Sequence, residues 1–235
     1  MRTGRSALAL ALAGAWLVAA SRASAWIPEP ERAWSAVATS NAASGRGKPF
    51  DFPVALVGVD GGVAATGRLR TEAAGAARLE LTLADGVAEV HERLGAEYRV
   101  TRGGRAVERA PRLLPPLELL QVTSATGVAE ALRAIGGNPA QVELGLEGTH
   151  DCWVLGGRDP GAFAANTRPS LWVDQETQQP VRIDDANGVQ YRLGDTAARP
   201  GGVRFPSRID VQESGWPVWR IQVQNSAAPA ATSAP

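Results

Sequence analysis

Apolar and polar residues alternate over much of the chain, and this period of two is typical of half-buried β-strands. The clearest example is Ala77–Leu83, where one Ala and three Leu alternate with Arg, Glu and Thr. The turn dipeptides Asp85-Gly86 and Gly103-Gly104 separate such stretches, as hairpins require. Residues 50–109 therefore predict an antiparallel meander.

The period changes to that of a helix between residues 113 and 135. The stretch 113–120 is too apolar to lie loose on a surface. Val128, Leu132 and Ile135 then fall on one stripe of an amphipathic helix, which a Gly-Gly-Asn-Pro sequence ends. We expect one or two short helices here, inserted midway through a sheet.

Further extended stretches follow the helical insert, with turn residues between them. They cover residues 142–146, 152–155, 170–173, 180–183, 189–193, 203–211 and 218–223. A short helix is also expected at 32–37, before the first strand. The total of about eleven or twelve antiparallel strands must curl, close or split into two sheets. A curled sheet with helices in its hollow is one solution.

Residues 1–25 have the three parts of a secretory signal peptide. Two Arg residues precede an apolar run at 7–20, and Ala23-Ser24-Ala25 supplies the small residues of a cleavage site. The run of about 14 residues is shorter than the roughly 20 that a membrane-spanning helix needs. We therefore expect cleavage and export, a single domain at 26–225 and a disordered tail at 226–235.

The charge balance and the single cysteine argue against several classes of function. The 24 Lys and Arg residues equal the 24 Asp and Glu residues in number, so the formal net charge is zero. This balance argues against a nucleic-acid partner and against a polybasic grip on anionic lipid headgroups. Cys152 has no cysteine to pair with, and none follows the apolar run to carry a lipid anchor. We expect Cys152 to be a small buried hydrophobic residue.

Residues with catalytic or metal-binding chemistry do not form a recognisable motif. His91 has no second His four residues on, as a zinc-binding helix would need. On an extended strand His150 and Cys152 point to one face and Asp151 to the other. The sequence contains neither a Gly-x-Ser-x-Gly elbow nor a phosphate-binding loop. We therefore predict no catalytic residue, no metal and no cofactor, and a protein that is not an enzyme.

Tryptophan is the more informative residue type. Six of the seven Trp residues lie beyond the predicted cleavage site, and Trp153, Trp172 and Trp219 fall in predicted strands. So large a ring usually belongs to the core, but it can also line a hollow for an apolar ligand. The spacing of these residues leaves both interpretations open.

Stretches in the second half of the chain resemble a known family. Leu171–Ile183 reads as a strand with the sequence Leu-Trp-Val-Asp, a turn and a second strand. Arg204–Val211 and Val218–Val223 read as a closing hairpin, and Cys152–Arg158 as the strand before these motifs. Over about residues 148–224 the chain resembles the periplasmic outer-membrane lipoprotein-sorting (LolA/LolB-like) superfamily.

The resemblance implies a mainly β (α+β) fold, in which a strongly curved antiparallel sheet forms an unclosed half-barrel of about 11 strands. Short helices would cover the concave face, and the insert at 113–135 would be that cover. The expected function is that of a monomeric, non-enzymatic periplasmic carrier, which holds the acyl chains of a lipoprotein or lipid in an apolar cavity. Such chains need a carrier because each exposed methylene costs about 0.8 kcal/mol in water. The expected cavity-lining residues are Leu117, Leu120, Leu132, Ile135, Trp153 and Trp172.

Two other functions remain open at this point. One is an envelope stress-sensing or scaffold module that uses the same fold to bind a protein partner. The other is a hydrolase on a β-rich scaffold, for which His91, His150 and Asp151 are the residues to substitute.

Overall fold

Fifteen strands and three α-helices make up the residues that the computed structural model describes, 27–72, 76–158 and 168–225. The first half contains α1 (Pro30–Ala43), β1 (Asp51–Val57), β2 (Val63–Thr71), β3 (Ala76–Leu83), β4 (Ala88–Leu94), β5 (Glu97–Arg102) and β6 (Arg105–Ala106). Next come α2 (Glu118–Gln121), α3 (Ala125–Ala134), β7 (Asn138–Glu147), β8 (His150–Gly156) and β9 (Ser170–Asp174). The last elements are β10 (Pro180–Asp184), β11 (Gln190–Leu193), β12 (Thr196–Ala198), β13 (Arg204–Pro206), β14 (Arg208–Gln212) and β15 (Trp219–Val223).

One antiparallel sheet of thirteen strands forms the body of the fold. Its order is β6-β5-β4-β3-β2-β1-β15-β14-β11-β10-β9-β8-β7, so the last strand of the chain pairs with the first. The outer strands, β6 and β7, are not paired with each other. The sheet is therefore not closed into a barrel, which confirms the predicted unclosed half-barrel, with two more strands than the eleven expected.

Three predicted elements differ in extent from the observed ones. The strand expected at 203–211 is divided at Ser207, because β13 leaves the main sheet to pair with β12 in a separate two-stranded sheet. The predicted meander over residues 50–109 ends earlier, with the two-residue strand β6. The first helix is longer than the predicted 32–37, since Pro30 starts it and the chain turns at Gly45, which has φ of +67°.

Alternating side chains give the sheet two different faces. On β1–β3 the concave face is apolar and buried, with Phe52, Leu69 and Leu79 among its members. On the convex face charged side chains pair across the strands, as Arg68 does with Asp51 and Arg78 with Glu92. Such exposed pairs contribute little energy individually. Their main effect is to make this face compatible with water. The concave face is apolar, so it must be buried by other parts of the chain.

Residues 113–135, which we call the cover, pack on the concave face as expected. Leu113, Leu114 and Leu119 are at most 1% exposed and belong to one continuous core with the sheet and α1. Asn41 of α1 donates side-chain hydrogen bonds to the backbone oxygens of Leu119 (3.0 Å) and Val122 (2.9 Å), which ties α2 to α1.

Helix α3 has the boundaries that its sequence indicates. The Ser124 hydroxyl accepts a hydrogen bond from the N–H of Gly127 (3.2 Å), a typical N-cap. Gly136, with φ of +90°, ends the helix. The predicted stripe is confirmed, because Val128, Leu132 and Ile135 are at most 2% exposed.

None of the described helices has the length and apolar character needed to cross a bilayer. The predicted signal peptide at 1–25 and the predicted tail at 226–235 lie outside the described residues.

Candidate functional site

Five of the six residues predicted to line a cavity belong to one buried core cluster. Leu117, Leu120, Leu132 and Ile135 project from the cover and are at most 2% exposed. Trp153 of β8 is 9% exposed and belongs to the same core cluster. Leu117 and Trp153, 36 positions apart in the sequence, therefore belong to the same apolar core, to which the cover contributes.

Trp172 lies on the opposite, convex face of the sheet, away from the other five residues. It packs with Cys152 and Val154 in a separate cluster. The Arg182 guanidinium lies 4.4 Å from the centre of its ring. The strand pairing explains the position: Trp172 is directly opposite Val154, whereas Trp153 is opposite Val173, and neighbours along a strand face opposite ways.

Trp172 is held firmly in that position. Its indole Nε1 donates hydrogen bonds to the Asp184 carboxylate (2.9 Å) and to the Ser170 hydroxyl (3.0 Å). A Cβ atom on Gly145 would come within 2.4 Å of the ring, so only glycine fits beneath it. The sequence pattern could not reveal this orientation, because β9 is buried on both faces and all five of its residues are apolar or buried polar.

Two clefts open near the ends of β2–β5, and the larger one also borders the cover. One, of about 530 Å³, is lined by Glu118, Val122 and Ala131 of the cover and by Glu72 at the end of β2. The other, of about 340 Å³, lies between β3, β4 and β5 and also reaches Glu72. We call the pair the rim clefts.

Glu118 gives the larger rim cleft an unusual carboxyl group. Its Oε1 is buried and has no hydrogen-bond partner among the described residues. Burial raises the pKa of this carboxyl, and the positive charge of Arg93 acts in the opposite direction with less effect. The group is thus an ionisable residue at the boundary between the apolar core and the cleft.

A buried polar network holds residues 107–117, the segment between β6 and α2. We call this segment the strap, and its last five residues are also the first five of the cover. The Tyr98 oxygen accepts a hydrogen bond from the N–H of Leu114 in the strap (3.0 Å). Tyr98 also contacts His91 Nδ1 (2.9 Å), and His91 Nε2 contacts Glu89 (2.9 Å). The ionised Glu89 can only accept, so we assign the proton to Nε2, and the Tyr98 O–H then donates to Nδ1. The Arg102 Nε donates a hydrogen bond to the Glu89 carboxylate (2.7 Å), which completes the network.

The network lowers the pKa of Glu89, whereas burial raises that of Tyr98. The hydrogen bond from His91 lowers the pKa of Glu89, with Arg102 adding to the effect against the opposing influence of burial. Burial raises the pKa of Tyr98. Both groups therefore keep the ionisation state that the network needs at neutral pH. His91 is 0% exposed, so a substrate cannot reach it in this conformation.

A third cleft, of about 450 Å³, lies at the end of α1 and is lined by residues from β8 to β13. Here His150 Nδ1 contacts the Asp174 carboxylate at 2.7 Å. Asp174 also accepts from the N–H (2.6 Å) and the hydroxyl (2.7 Å) of Thr177. Burial acts to raise the pKa of Asp174, but the bonds from Thr177 and His150 together hold it below its usual value. The partner of His150 is thus Asp174, not its sequence neighbour Asp151.

Metal-ligating and nucleophilic groups do not gather into a further site. Within residues 27–72, 76–158 and 168–225, no three His, Cys, Asp or Glu side chains are grouped to hold a metal ion. Cys152 is 0% exposed, as expected, and burial raises the pKa of its thiol to about 12. A thiol with that pKa stays protonated at neutral pH and is not a nucleophile.

Comparison with known proteins gives a fold but no sequence family. No family model and no curated protein matches the chain. Among solved structures, a LolA superfamily protein from Nitrosomonas europaea aligns with a TM-score of 0.50 and 14% identity, over 84% of this chain and 94% of that one.

Two other solved structures align less closely. A domain from Vibrio parahaemolyticus, titled for outer membrane lipoprotein sorting, has a TM-score of 0.46 and 8% identity, over 83% of this chain and 91% of that one. The MucA/MucB complex of Pseudomonas aeruginosa has a TM-score of 0.28 and 17% identity, over 86% of this chain and 59% of that one. The open sheet, the helical cover and the alignment with the Nitrosomonas protein show that this chain has a LolA-like fold.

Proposed function

We propose that this protein is a non-enzymatic carrier that holds the acyl chains of a lipoprotein or lipid between the cover and the concave face of the sheet. The observation that carries the proposal is the continuous apolar core that the cover forms with the sheet. If the cover moves outward, an unbroken apolar surface is uncovered, and an acyl chain can replace the contacts that the cover gives up.

The distribution of polar groups supports this function. The cover is attached to the sheet and α1 mainly through apolar contacts, with a few hydrogen bonds at defined points such as Asn41 and Tyr98. The larger rim cleft gives the acyl chain an approach between the cover and the end of β2. A carrier needs such an apolar volume, and it needs no catalytic group.

Binding of a fluorescent fatty acid tests the proposal directly. The purified protein, stripped of lipid, should bind the probe in the micromolar range or tighter, and unlabelled palmitate should displace it. Leu117→Trp should weaken binding at least tenfold, because the larger ring fills the volume under the cover. Leu146→Trp is the matched control, since Leu146 is 51% exposed on β7 and lines neither rim cleft. A folded protein that binds no acyl probe would disprove the function.

Export to the periplasm is a separate part of the proposal. The function needs a soluble apolar hollow outside the cytoplasm, where acyl chains travel between membranes. We expect the mature protein to begin at Trp26 and to be released in the periplasmic fraction as a monomer. Mass spectrometry of its N-terminus and sedimentation of the released protein would check these points.

A module that binds a protein partner is the second candidate function. Three apolar side chains are exposed at the same end of the sheet, Val59 (75%), Val63 (51%) and Val218 (43%). They adjoin β1, which pairs with both β2 and β15. If this surface binds a protein, Val59→Asp with Val63→Asp should abolish capture of that partner from envelope extract by lipid-free protein. The same variant should bind the fatty acid probe normally.

A further inference from the structure

Trp153 contains a buried hydrogen-bond donor without an acceptor. The residue is 9% exposed, and its indole Nε1 has no hydrogen-bond partner among the described residues. A buried donor left in this state costs about 1–3 kcal/mol. A phenylalanine would fill much of the same apolar space without that cost, so packing alone does not account for an indole at this position.

The neighbouring tryptophan shows how the same sheet satisfies an indole. Trp172 is 0% exposed, and its Nε1 donates to both Asp184 and Ser170. Both acceptors lie on the convex face. On the concave face Trp153 is flanked across the strands by Leu144 and Val173, which offer no side-chain acceptor.

The surroundings of Trp153 limit what kind of acceptor can reach it. A molecule that enters the apolar core must itself be apolar, and a carboxylate or phosphate there would be an unpaired buried charge. A neutral carbonyl oxygen on an otherwise apolar molecule avoids that cost. In a dry core its hydrogen bond to an indole is also stronger than in water.

We propose that the indole N–H of Trp153 recognises the carbonyl oxygen of the ester or amide that joins an acyl chain to its carrier group. This inference rests on the proposed function, because an acyl chain must first enter beneath the cover. It adds selectivity for acyl groups over hydrocarbon chains of equal length. Ester-linked and amide-linked chains share the carbonyl chemistry, and separate probes distinguish them.

Nuclear magnetic resonance of the ¹⁵N-labelled, lipid-free protein tests the inference without any substitution. Methyl palmitate and N-methylpalmitamide should each move the Trp153 indole N–H resonance downfield, and methyl hexadecyl ether should not. A larger shift with one of the two carbonyl probes identifies the preferred linkage. If the Trp153 resonance is the same in the ester and ether complexes, the inference is wrong.

Affinities give an independent measurement. The protein should bind methyl palmitate about tenfold more tightly than the ether, since a net hydrogen bond of about 1.4 kcal/mol corresponds to that factor. Trp153→Phe should reduce the ratio to about one. Trp34→Phe is the matched control, because Trp34 Nε1 also lacks a partner but its residue is only partly buried.

The outcomes separate this inference from the proposed function. A protein that binds ester and ether equally well is still an acyl carrier, but Trp153 then has no role in recognition. A ratio that survives Trp153→Phe likewise overturns the inference alone. If neither probe binds the folded protein, the proposed function and this inference both fail.

Discussion

Arg93 in β4 and Asp185 after β10 form a buried ion pair that joins two distant parts of the sheet. Arg93 Nη1 lies 3.3 Å from Asp185 Oδ2, and the two side chains are 4% and 1% exposed. Five strands separate β4 from β11 in the sheet order. The pair therefore spans the open side of the half-barrel. Arg93 also donates to the backbone oxygen of Leu114 in the strap (3.4 Å).

The first prediction concerns this pair. Arg93→Met should lower the free energy of unfolding by about 3–5 kcal/mol, because Asp185 is left buried without its cation. Arg93→Met combined with Asp185→Asn should recover part of that loss, since neither buried charge remains and the amide oxygen can still accept from the N–H groups of Asn187 and Val189. Urea unfolding of both variants measures the difference. A double variant no more stable than Arg93→Met would show that the pair is not coupled in this way.

The second prediction concerns the fastening of the strap. Tyr98→Phe removes the hydroxyl that joins Leu114 N–H to His91 and should cost about 1–3 kcal/mol. Hydrogen exchange of the Leu114 amide should accelerate at least tenfold. The amide of Ile221, on β15 and paired with strands outside the network, is the internal control. Unchanged exchange at Leu114 would mean that packing alone holds the strap.

The third prediction concerns stability in acid. The pKa values of Asp174 and Glu89 are both lowered in the folded protein. Their contribution to stability is therefore complete above the ordinary carboxyl pKa of about 4 and is lost as the pH falls through the lowered folded value. Thr177→Val removes one donor to Asp174, so it should reduce stability at pH 7 more than at pH 3. Thr82→Val, at an exposed position on β3, should show no such dependence.

The fourth prediction has the opposite sign. Burial raises the pKa of Glu118, so the ionised form is disfavoured by folding and becomes a cost as the pH rises through the folded pKa. Glu118→Gln should therefore raise the melting temperature at pH 8, and the gain should vanish at pH 4. Glu130→Gln, an exposed change in the same rim cleft, is the control. A gain that persists in acid would point to a cause other than charge.

The fifth prediction concerns the only cysteine. Cys152 should not react with a thiol reagent in the native protein at pH 8, because its thiol is buried and its pKa is raised to about 12. It should react fully once the protein is unfolded in urea. Labelling of the native protein would show that β8 separates from its neighbours.

The sequence predicts correctly those parts of the fold in which the apolar residues of a periodic pattern are also the buried residues. Ala77–Leu83 alternates cleanly, and β3 has that alternation in its burial as well. The stripe on α3 was likewise visible. The half-barrel itself followed from a resemblance carried by strands near the end of the chain, and the aligned structure confirmed the fold.

Strand β4 shows why the rest could not be predicted. Glu89, His91 and Arg93 face the core, while Leu94 is 56% exposed, so polarity and burial are reversed along this strand. Their partners, Tyr98, Arg102 and Asp185, come from other strands and turns. Only the three-dimensional pairing makes these groups compatible with burial. The same reasoning applies to His150, whose partner is Asp174 on another strand.

The free edges of the sheet have a mechanical consequence. In a closed barrel the strand number and stagger fix the diameter. Here β6 and β7 are not joined, so no ladder of hydrogen bonds sets the radius of the hollow. The width of the hollow can therefore change through small bends between neighbouring strands, without breaking the hydrogen bonds that pair those strands. The Arg93–Asp185 ion pair limits how far the hollow can widen. If the protein carries acyl chains as proposed, a hollow of adjustable width would accept chains of different bulk.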